Sequence, residues 1–191
     1  MKKDLFFNLP VFLLIALISA SFITNCAPKR VHPSLRPHKN PPASQIIKKA
    51  NALLRDNPED AEAHFQLGIV YSHLDSVSLA FKHFEKSMEY DPSPKTLENA
   101  NRNIKHNYSK QFYMGQAALK AGDYEMTADF YRRATLADPR NWEGYYHLAL
   151  TLIRLGPNNY SKARKLLEEA REKATEDYIG RINRVLEEIR R

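Results

Sequence analysis

One thiol and seven imidazoles are among the side chains of this chain that could carry out covalent attachment, metal binding or catalysis. Cys26 is the single cysteine, so an intramolecular disulfide is impossible and packing must hold the fold together. A structural zinc site needs about four converging ligands, and no H-E-x-x-H pair is present. We therefore expect no metal site, no cofactor and no enzymatic activity. The scattered histidines are His32, His38, His64, His73, His83, His106 and His147.

The segment before Cys26 has the order of a secretory leader. Two lysines near the start precede an uncharged apolar run over residues 11–23. This run has the length of the apolar part of a signal peptide and is short for a membrane-spanning helix. A longer, anchoring version of the run is interrupted by Asn8 and Pro10. We predict a signal peptide over residues 1–25, with an uncut signal anchor as the alternative.

The stretch I-T-N-C at residues 23–26 resembles the lipobox of bacterial lipoproteins. In that family the cysteine sulfur receives a diacylglycerol, and cleavage then makes the acylated cysteine the new N-terminus. The resemblance implies that Cys26 is a lipid attachment point, although Asn25 stands where a smaller residue is usual. Ala27 lacks the acidic character that favours inner-membrane retention, so the outer membrane is the favoured location. An ordinary signal cut after residues 19–21 is the alternative.

Residues 26–43 are predicted to form a basic, proline-rich tether after the lipid attachment point. Five of the eleven prolines fall in this segment, and prolines at this density prevent a helix and favour an extended spacer. The net charge of +7 is concentrated here, which leaves residues 44–191 nearly neutral and argues against nucleic-acid binding by the folded part. The tether is either solvated or lies on anionic lipid headgroups. Its cations are Lys29, Arg30, Arg36 and Lys39.

Three similar segments follow one another from residue 61 onward. They begin at Ala61, Tyr108 and Trp142; the second and third start 34 residues apart, and the first two are separated by an extra 13 residues. Each segment has a large residue followed by a small one near its start. Small and larger apolar residues recur in its second half. The first two segments end with Asp-Pro. These residues are Leu67-Gly68, Met114-Gly115, Leu148-Ala149, Ala80, Phe84, Ala163, Leu167, Asp91-Pro92 and Asp138-Pro139.

This pattern resembles the tetratricopeptide repeat, a helix-turn-helix unit that stacks into a solenoid. The resemblance implies an all-α tetratricopeptide-type solenoid of about three repeats with flanking capping helices, with repeats near 61–94, 108–141 and 142–175. Small residues at facing positions let two helices approach, and the prolines stop the second helix of a repeat. Asp75 replaces the usual turn glycine, and Thr127 replaces the usual alanine.

Two further helices are predicted to cap the domain that spans residues 44–191. The first covers residues 44–56 and is predicted to start with Ser44 as its N-cap. The second covers residues 176–190, where apolar residues recur on one helical stripe. Solenoids of this kind need such caps because a terminal repeat would otherwise expose an apolar face.

The 13-residue insert is predicted to lengthen a helix. No glycine or proline occurs between residues 95 and 114, and the apolar phase continues into the second repeat. We predict one helix near 95–121 and expect it to cover Leu97 and Ile104.

In this family the first helices of successive repeats line a concave groove, and three rows of residues fall there. An aromatic row next to a basic row suits a peptide with apolar anchors and an acidic flank. We expect these positions to lie outside the inter-repeat core; alternatively, the aromatic residues pack internally and the cations form a solvated rim. The rows are Phe65, Phe112 and Tyr146, then Ile69, Gln116 and Leu150, then His73, Lys120 and Arg154.

The function predicted from these features is a scaffold or assembly factor of the bacterial cell envelope. It would be tethered to a membrane by its lipid, face the periplasm or the cell surface, and bind a protein or peptide partner and no nucleic acid. A signal-anchored, periplasm-facing protein of the same fold is one alternative. A nucleic-acid or ligand binder that uses the basic segment is a more distant one.

Overall fold

The computed structural model describes residues 41–190, which form eight α-helices and one short 3-10 turn. Over these residues the fold is all-α, as predicted, with no strand. The predicted signal peptide, Cys26 and most of the predicted tether lie outside the described residues. The helices are α1 (Ala43–Asp56), α2 (Ala61–His73), α3 (Val77–Tyr90), α4 (Pro94–Lys120), α5 (Tyr124–Ala137), α6 (Trp142–Arg154), α7 (Tyr160–Lys173) and α8 (Glu176–Glu188).

Consecutive helices pack as hairpins, and small residues set the spacing within each pair. The closest packing joins α2 to α3, α4 to α5 and α6 to α7. A Cβ added to Gly68 would lie 2.6 Å from the ring of Phe84, and one added to Gly115 would lie 2.8 Å from the ring of Tyr131. Each aromatic ring therefore rests directly on the opposite helix, where only a glycine leaves room for it.

Thr127 shows how a polar side chain replaces the expected alanine. It is fully buried on α5, and its Oγ1 donates a hydrogen bond to the carbonyl oxygen of Asp123 at 2.6 Å. A buried hydroxyl is tolerated when it is hydrogen-bonded, and here the preceding turn of the same helix supplies the acceptor.

The start of α1 differs from the prediction. Ser44 is not the N-cap, because the helix begins at Ala43 and follows Pro42, which makes no side-chain capping bond. Proline has a fixed φ suited to a helix start and no N–H that would need a partner, so the helix begins earlier than the serine indicates.

The long helix α4 contributes to two repeats. It has 27 residues and starts after Ser93, whose side chain accepts a hydrogen bond from the backbone N–H of Thr96. Its first half packs against α3 through Ala100 and Ile104, which are 0% and 1% exposed. Its second half pairs with α5. The expectation that Leu97 would also be covered is wrong, since this side chain is 37% exposed near the free end of the helix.

Helix α8 covers the end of the solenoid. Ile182, Leu186 and Ile189 are buried and join the apolar cluster of α6 and α7. The rings of Trp142 on α6 and Tyr178 on α8 lie 4.4 Å apart.

Every helix between residues 41 and 190 is too short or too polar to span a lipid bilayer.

Asp75 joins the first repeat to the second. It lies in the turn between α2 and α3 with φ of 57°, the left-handed conformation for which a glycine is usual. Its carboxylate accepts hydrogen bonds from Lys110 Nζ at 3.0 Å, Gln111 Nε2 at 2.9 Å and Arg133 Nη1 at 2.7 Å. The Lys110 hydrogen bond is the largest cause that lowers the pKa of Asp75 below its ordinary 3.8. The aspartate therefore fixes the α2–α3 turn against both α4 and α5.

Substitutions at Asp75 should separate the cost of its backbone conformation from the value of its contacts. Asp75→Ala is expected to lower the free energy of unfolding by about 1–2 kcal/mol, since alanine disfavours the left-handed conformation and the half-exposed ionic contacts are lost. Asp75→Gly should lower the free energy of unfolding by less, because glycine adopts the left-handed conformation without a steric penalty. Urea unfolding at pH 7 measures both, and equal stability of the two variants would show that the conformation carries no cost.

The same contacts predict a pH dependence. Because the pKa of Asp75 is lowered in the folded state, its contribution is present above its ordinary pKa of 3.8 and is lost as the pH falls through the folded-state value. The stability difference between the wild type and Asp75→Asn should therefore shrink at about pH 3.

Candidate functional site

The predicted aromatic row is partly buried, with Tyr146 buried and Phe65 and Phe112 half-buried against apolar clusters, so the expectation that these rings lie outside the core is wrong in this respect. The ring of Phe65 lies 5.6 Å from that of Phe84. Tyr146 is 7% exposed and lies 5.9 Å from Trp142. These rings fill the space between neighbouring helices, because the small residues nearby leave room for them.

Phe112 is the member of the row that is in contact with most other rings. It lies 5.5 Å from Tyr108, 5.3 Å from Tyr131 and 5.2 Å from His147. Burial lowers the pKa of this histidine, so its ring is favoured in the neutral form. Phe112 therefore links α4, α5 and α6 and remains only partly open to solvent.

The other two predicted rows differ in exposure. Ile69 and Leu150 are half-buried and pack on the apolar clusters of their repeats, and Gln116 is half-buried on α4. The basic row is exposed, and each member stands in the last turn of its helix: His73 on α2, Lys120 on α4 and Arg154 on α6. The cations of Lys120 and Arg154 complement the helix dipole at this end, which is a structural explanation for these two residues.

A cleft of about 430 Å³ lies between α4 and the connection that leads into α6, and we call it the α4–α6 cleft. Of the nine groove residues predicted from the sequence, only Phe112 lines this cleft. The most exposed aromatic residue of the cleft is Tyr113. Its side chain is 66% exposed, although aromatic side chains are usually at least partly buried. The cleft is lined by Asn101, Lys105, Tyr108, Ser109, Phe112, Tyr113, Asp138, Arg140, Asn141 and Glu143.

Most charged side chains that line the α4–α6 cleft already form hydrogen bonds or ion pairs within the protein. Arg140 Nε donates to Asp138 Oδ1 at 2.9 Å, and Arg140 Nη2 donates to Asn101 Oδ1 at 3.3 Å. The Tyr108 hydroxyl donates to Glu143 Oε2 at 3.4 Å, and burial is the main cause that raises the pKa of this tyrosine.

Lys105 differs from the other charged residues of the cleft. Its ammonium group has no carboxylate within 4.0 Å among residues 41–190, so it is available to an acidic ligand. Lys105 and Tyr113 were not predicted from the sequence. The signal that pointed towards them is the 13-residue insert, which extends α4 alongside the connection into α6.

Other cavities also border the repeats. One of about 220 Å³ lies near the start of α2 and α4 and includes Phe65. A groove of about 640 Å³ opens between α5 and α7, with Leu152 and Leu155 of the α6 end in its floor. Across residues 41–190, no three side chains of the types His, Cys, Asp and Glu come together as an ion site.

Comparison with known proteins identifies the repeats. Models of the tetratricopeptide repeat match residues 61–94 and residues 113–179, together more than half of the chain. The DnaJ protein P58IPK homolog B of Oryza sativa subsp. japonica is 25% identical over 112 residues, which is 59% of this chain and 24% of that protein. The chain therefore spans about a quarter of the length of this relative.

Solved structures that this chain matches in part include those of MamA. A crystal structure of MamA is 16% identical and covers 75% of this chain and 74% of its own, with a TM-score of 0.39. A MamA RS-1 ArsTM double mutant is 17% identical, with 77% and 73% covered and a TM-score of 0.37. The helix hairpins, the buried small residues and the family matches lead to one conclusion: this chain carries tetratricopeptide repeats, and its described part is an all-α solenoid of them.

Proposed function

We propose that this protein is a membrane-tethered interaction scaffold or assembly factor of the bacterial cell envelope. A lipid on Cys26 would hold it at the membrane, with the outer membrane favoured, and the basic segment would act as a spacer. Tetratricopeptide repeats imply a protein partner, and the α4–α6 cleft is the surface that we assign to it. The leader sequence and the I-T-N-C stretch support the location in the envelope.

The exposed ring of Tyr113 lines the same cleft as the ammonium group of Lys105, which has no carboxylate within 4.0 Å among residues 41–190. This is the observation that carries the binding proposal. A tyrosine gains binding energy when a partner removes its ring from water, and aromatic residues are enriched among binding hot spots. An exposed cation contributes mainly to the association rate and to salt sensitivity. The cleft therefore suits a peptide segment with an apolar anchor and a neighbouring acidic residue.

Photo-crosslinking in intact cells can identify the partner. A benzophenone amino acid at position 113 should give one crosslinked product of discrete mass, whereas the same group at position 53 on α1 should not. Leu53 is a suitable control because it is 43% exposed and lies on a helix that does not line the cleft. Identical products from both positions would argue against the cleft.

Substitution of Tyr113 should weaken binding without disturbing the fold. Tyr113→Ala is expected to raise the dissociation constant for the crosslinked partner by about tenfold or more, and its circular dichroism should match the wild type because the ring is 66% exposed. Met126→Ala is the matched control, since Met126 is 50% exposed and lies outside the cleft. Lys105→Ala should weaken binding less and flatten its salt dependence. Wild-type affinity of Tyr113→Ala would refute the assignment.

The lipid anchor has a separate test. Cys26→Ala should abolish labelling by an alkyne fatty acid such as a palmitate analogue, and the precursor should remain uncut because the acylated sulfur is the recognised group. Labelling that persists in Cys26→Ala, or a mature N-terminus at Phe22, would contradict lipidation. An uncut wild-type protein without label would instead favour the signal anchor.

A further inference from the structure

Two histidines meet inside the first repeat. Nδ1 of His64 on α2 lies 2.9 Å from Nδ1 of His83 on α3, and Nε2 of His64 lies 3.1 Å from the carbonyl oxygen of Pro58. His64 is only 3% exposed. The ring of Tyr71 stacks on His83 at 5.4 Å, and that of Tyr90 lies 5.6 Å from His64. The pair therefore joins α2, α3 and the connection that follows α1.

The carbonyl of Pro58 determines where the protons of the neutral pair lie. A carbonyl oxygen only accepts hydrogen bonds, so Nε2 of His64 must carry a hydrogen. In neutral His64, Nδ1 then has a lone pair, and the facing Nδ1 of His83 must be the donor. The closed arrangement thus has one proton between the two rings, and Nε2 of His83 keeps its lone pair.

This arrangement limits how many protons the closed pair accepts. A proton on Nε2 of His83 preserves the contact but places a charge in a partly buried site close to Lys86. A proton on Nδ1 of His64 would point two N–H groups at each other across 2.9 Å, which removes the hydrogen bond. The closed pair therefore holds at most one additional proton, whereas two separated rings in water accept two.

The surrounding groups favour the neutral form. Burial, then His64 and then Lys86 lower the pKa of His83 to about 4. Burial also lowers the pKa of His64; the Pro58 hydrogen bond partly opposes this, Lys86 adds to it, and Asp60 opposes it.

We propose that the His64–His83 pair is a proton-operated latch, which holds α2 against α3 in the first repeat at neutral pH and releases this contact in mildly acidic surroundings. Release would loosen the packing of α2 on α3, where the ring of Phe84 rests on Gly68. The latch does not depend on the partner assigned to the α4–α6 cleft.

The direction of the pH effect follows from the lowered pKa values. Below the ordinary histidine pKa of 6.5 the open form binds more protons than the closed form, so closure weakens as the pH falls towards about 4. Each histidine protonated only on opening raises the opening constant by up to about tenfold per pH unit, and the two together by up to about a hundredfold.

Hydrogen exchange of the full chain tests the latch. Between pH 7.5 and 5.5, after correction for the intrinsic exchange rate, opening constants of backbone amides in α2 and α3 should rise by about tenfold or more. Amides of α7 and α8, which contain no histidine, are the internal reference. In the double variant His64→Gln, His83→Gln, amide groups can preserve the hydrogen bonds without titrating, so the rise should disappear. An equal rise in the wild type and this variant would overturn the proposal.

Nuclear magnetic resonance of isotope-labelled histidines gives a second readout that needs no variant. At pH 7.5, His64 should be the Nε2–H tautomer and His83 the Nδ1–H tautomer, and both should become protonated together with the opening seen by exchange. Independent titration of both rings near pH 6.5 without opening would overturn the latch, even if the double variant did not fold.

Discussion

Replacing Phe84 with alanine should lower the free energy of unfolding by about 3–5 kcal/mol. The ring is fully buried, rests on Gly68 and lies 5.6 Å from Phe65. Its removal would leave a cavity between α2 and α3 that alanine cannot fill, and the helices cannot close it because α4 packs on the same cluster. Urea unfolding followed by circular dichroism measures the loss.

A control on the same helix separates packing from helix propensity. Leu79 on α3 is 44% exposed, so Leu79→Ala should change stability by less than about 1 kcal/mol. A similarly small effect of Phe84→Ala would mean that the ring is not a buried contact between the two helices.

Replacing Ile104 with alanine is expected to cost about 2–5 kcal/mol, even though this residue belongs to the insert between the first two repeats. The side chain is 1% exposed and packs in one cluster with Ala80, Phe81 and Phe84. The insert therefore supplies core contacts to the first repeat. Urea unfolding monitored by circular dichroism gives the difference.

Leu97 is the matched control for Ile104 because it lies on the same helix, two turns earlier, and is 37% exposed. Leu97→Ala should cost less than about 1.5 kcal/mol. If both variants lowered the free energy of unfolding equally, the first half of α4 would have no distinct buried face. A loss only for Ile104→Ala would show that this half is part of the folded core.

Local patterns were sufficient to predict the helices and their pairing. Gly68 and Phe84 belong to one hairpin, and small residues at facing repeat positions predict that its two helices approach each other closely. The continuous apolar phase without glycine or proline likewise predicted a long helix, which α4 is. These features depend on periodicity and steric size within one or two neighbouring helices, and both can be read along the chain.

The candidate site was less accessible to sequence reasoning. Position within the repeat placed Phe65, Phe112 and Tyr146 on one side of their helices, but it did not reveal how deeply neighbouring helices bury them. Tyr113 follows Phe112 directly and is far more exposed. The exposure of a side chain depends on how adjacent repeats are rotated against each other. The periodicity of a single helix carries no information about this rotation.

The sequence by itself determined that this protein is an all-α repeat array, where its helices pair, and that its leader resembles that of a lipoprotein. Only the tertiary structure decided that Asp75 is bonded to side chains 35, 36 and 58 positions further along, and that His64 faces His83 across a single proton. The reason is physical. A helical period fixes which face of a helix is apolar, whereas a polar contact between helices also requires the rotation, offset and spacing that the packed core sets as a whole.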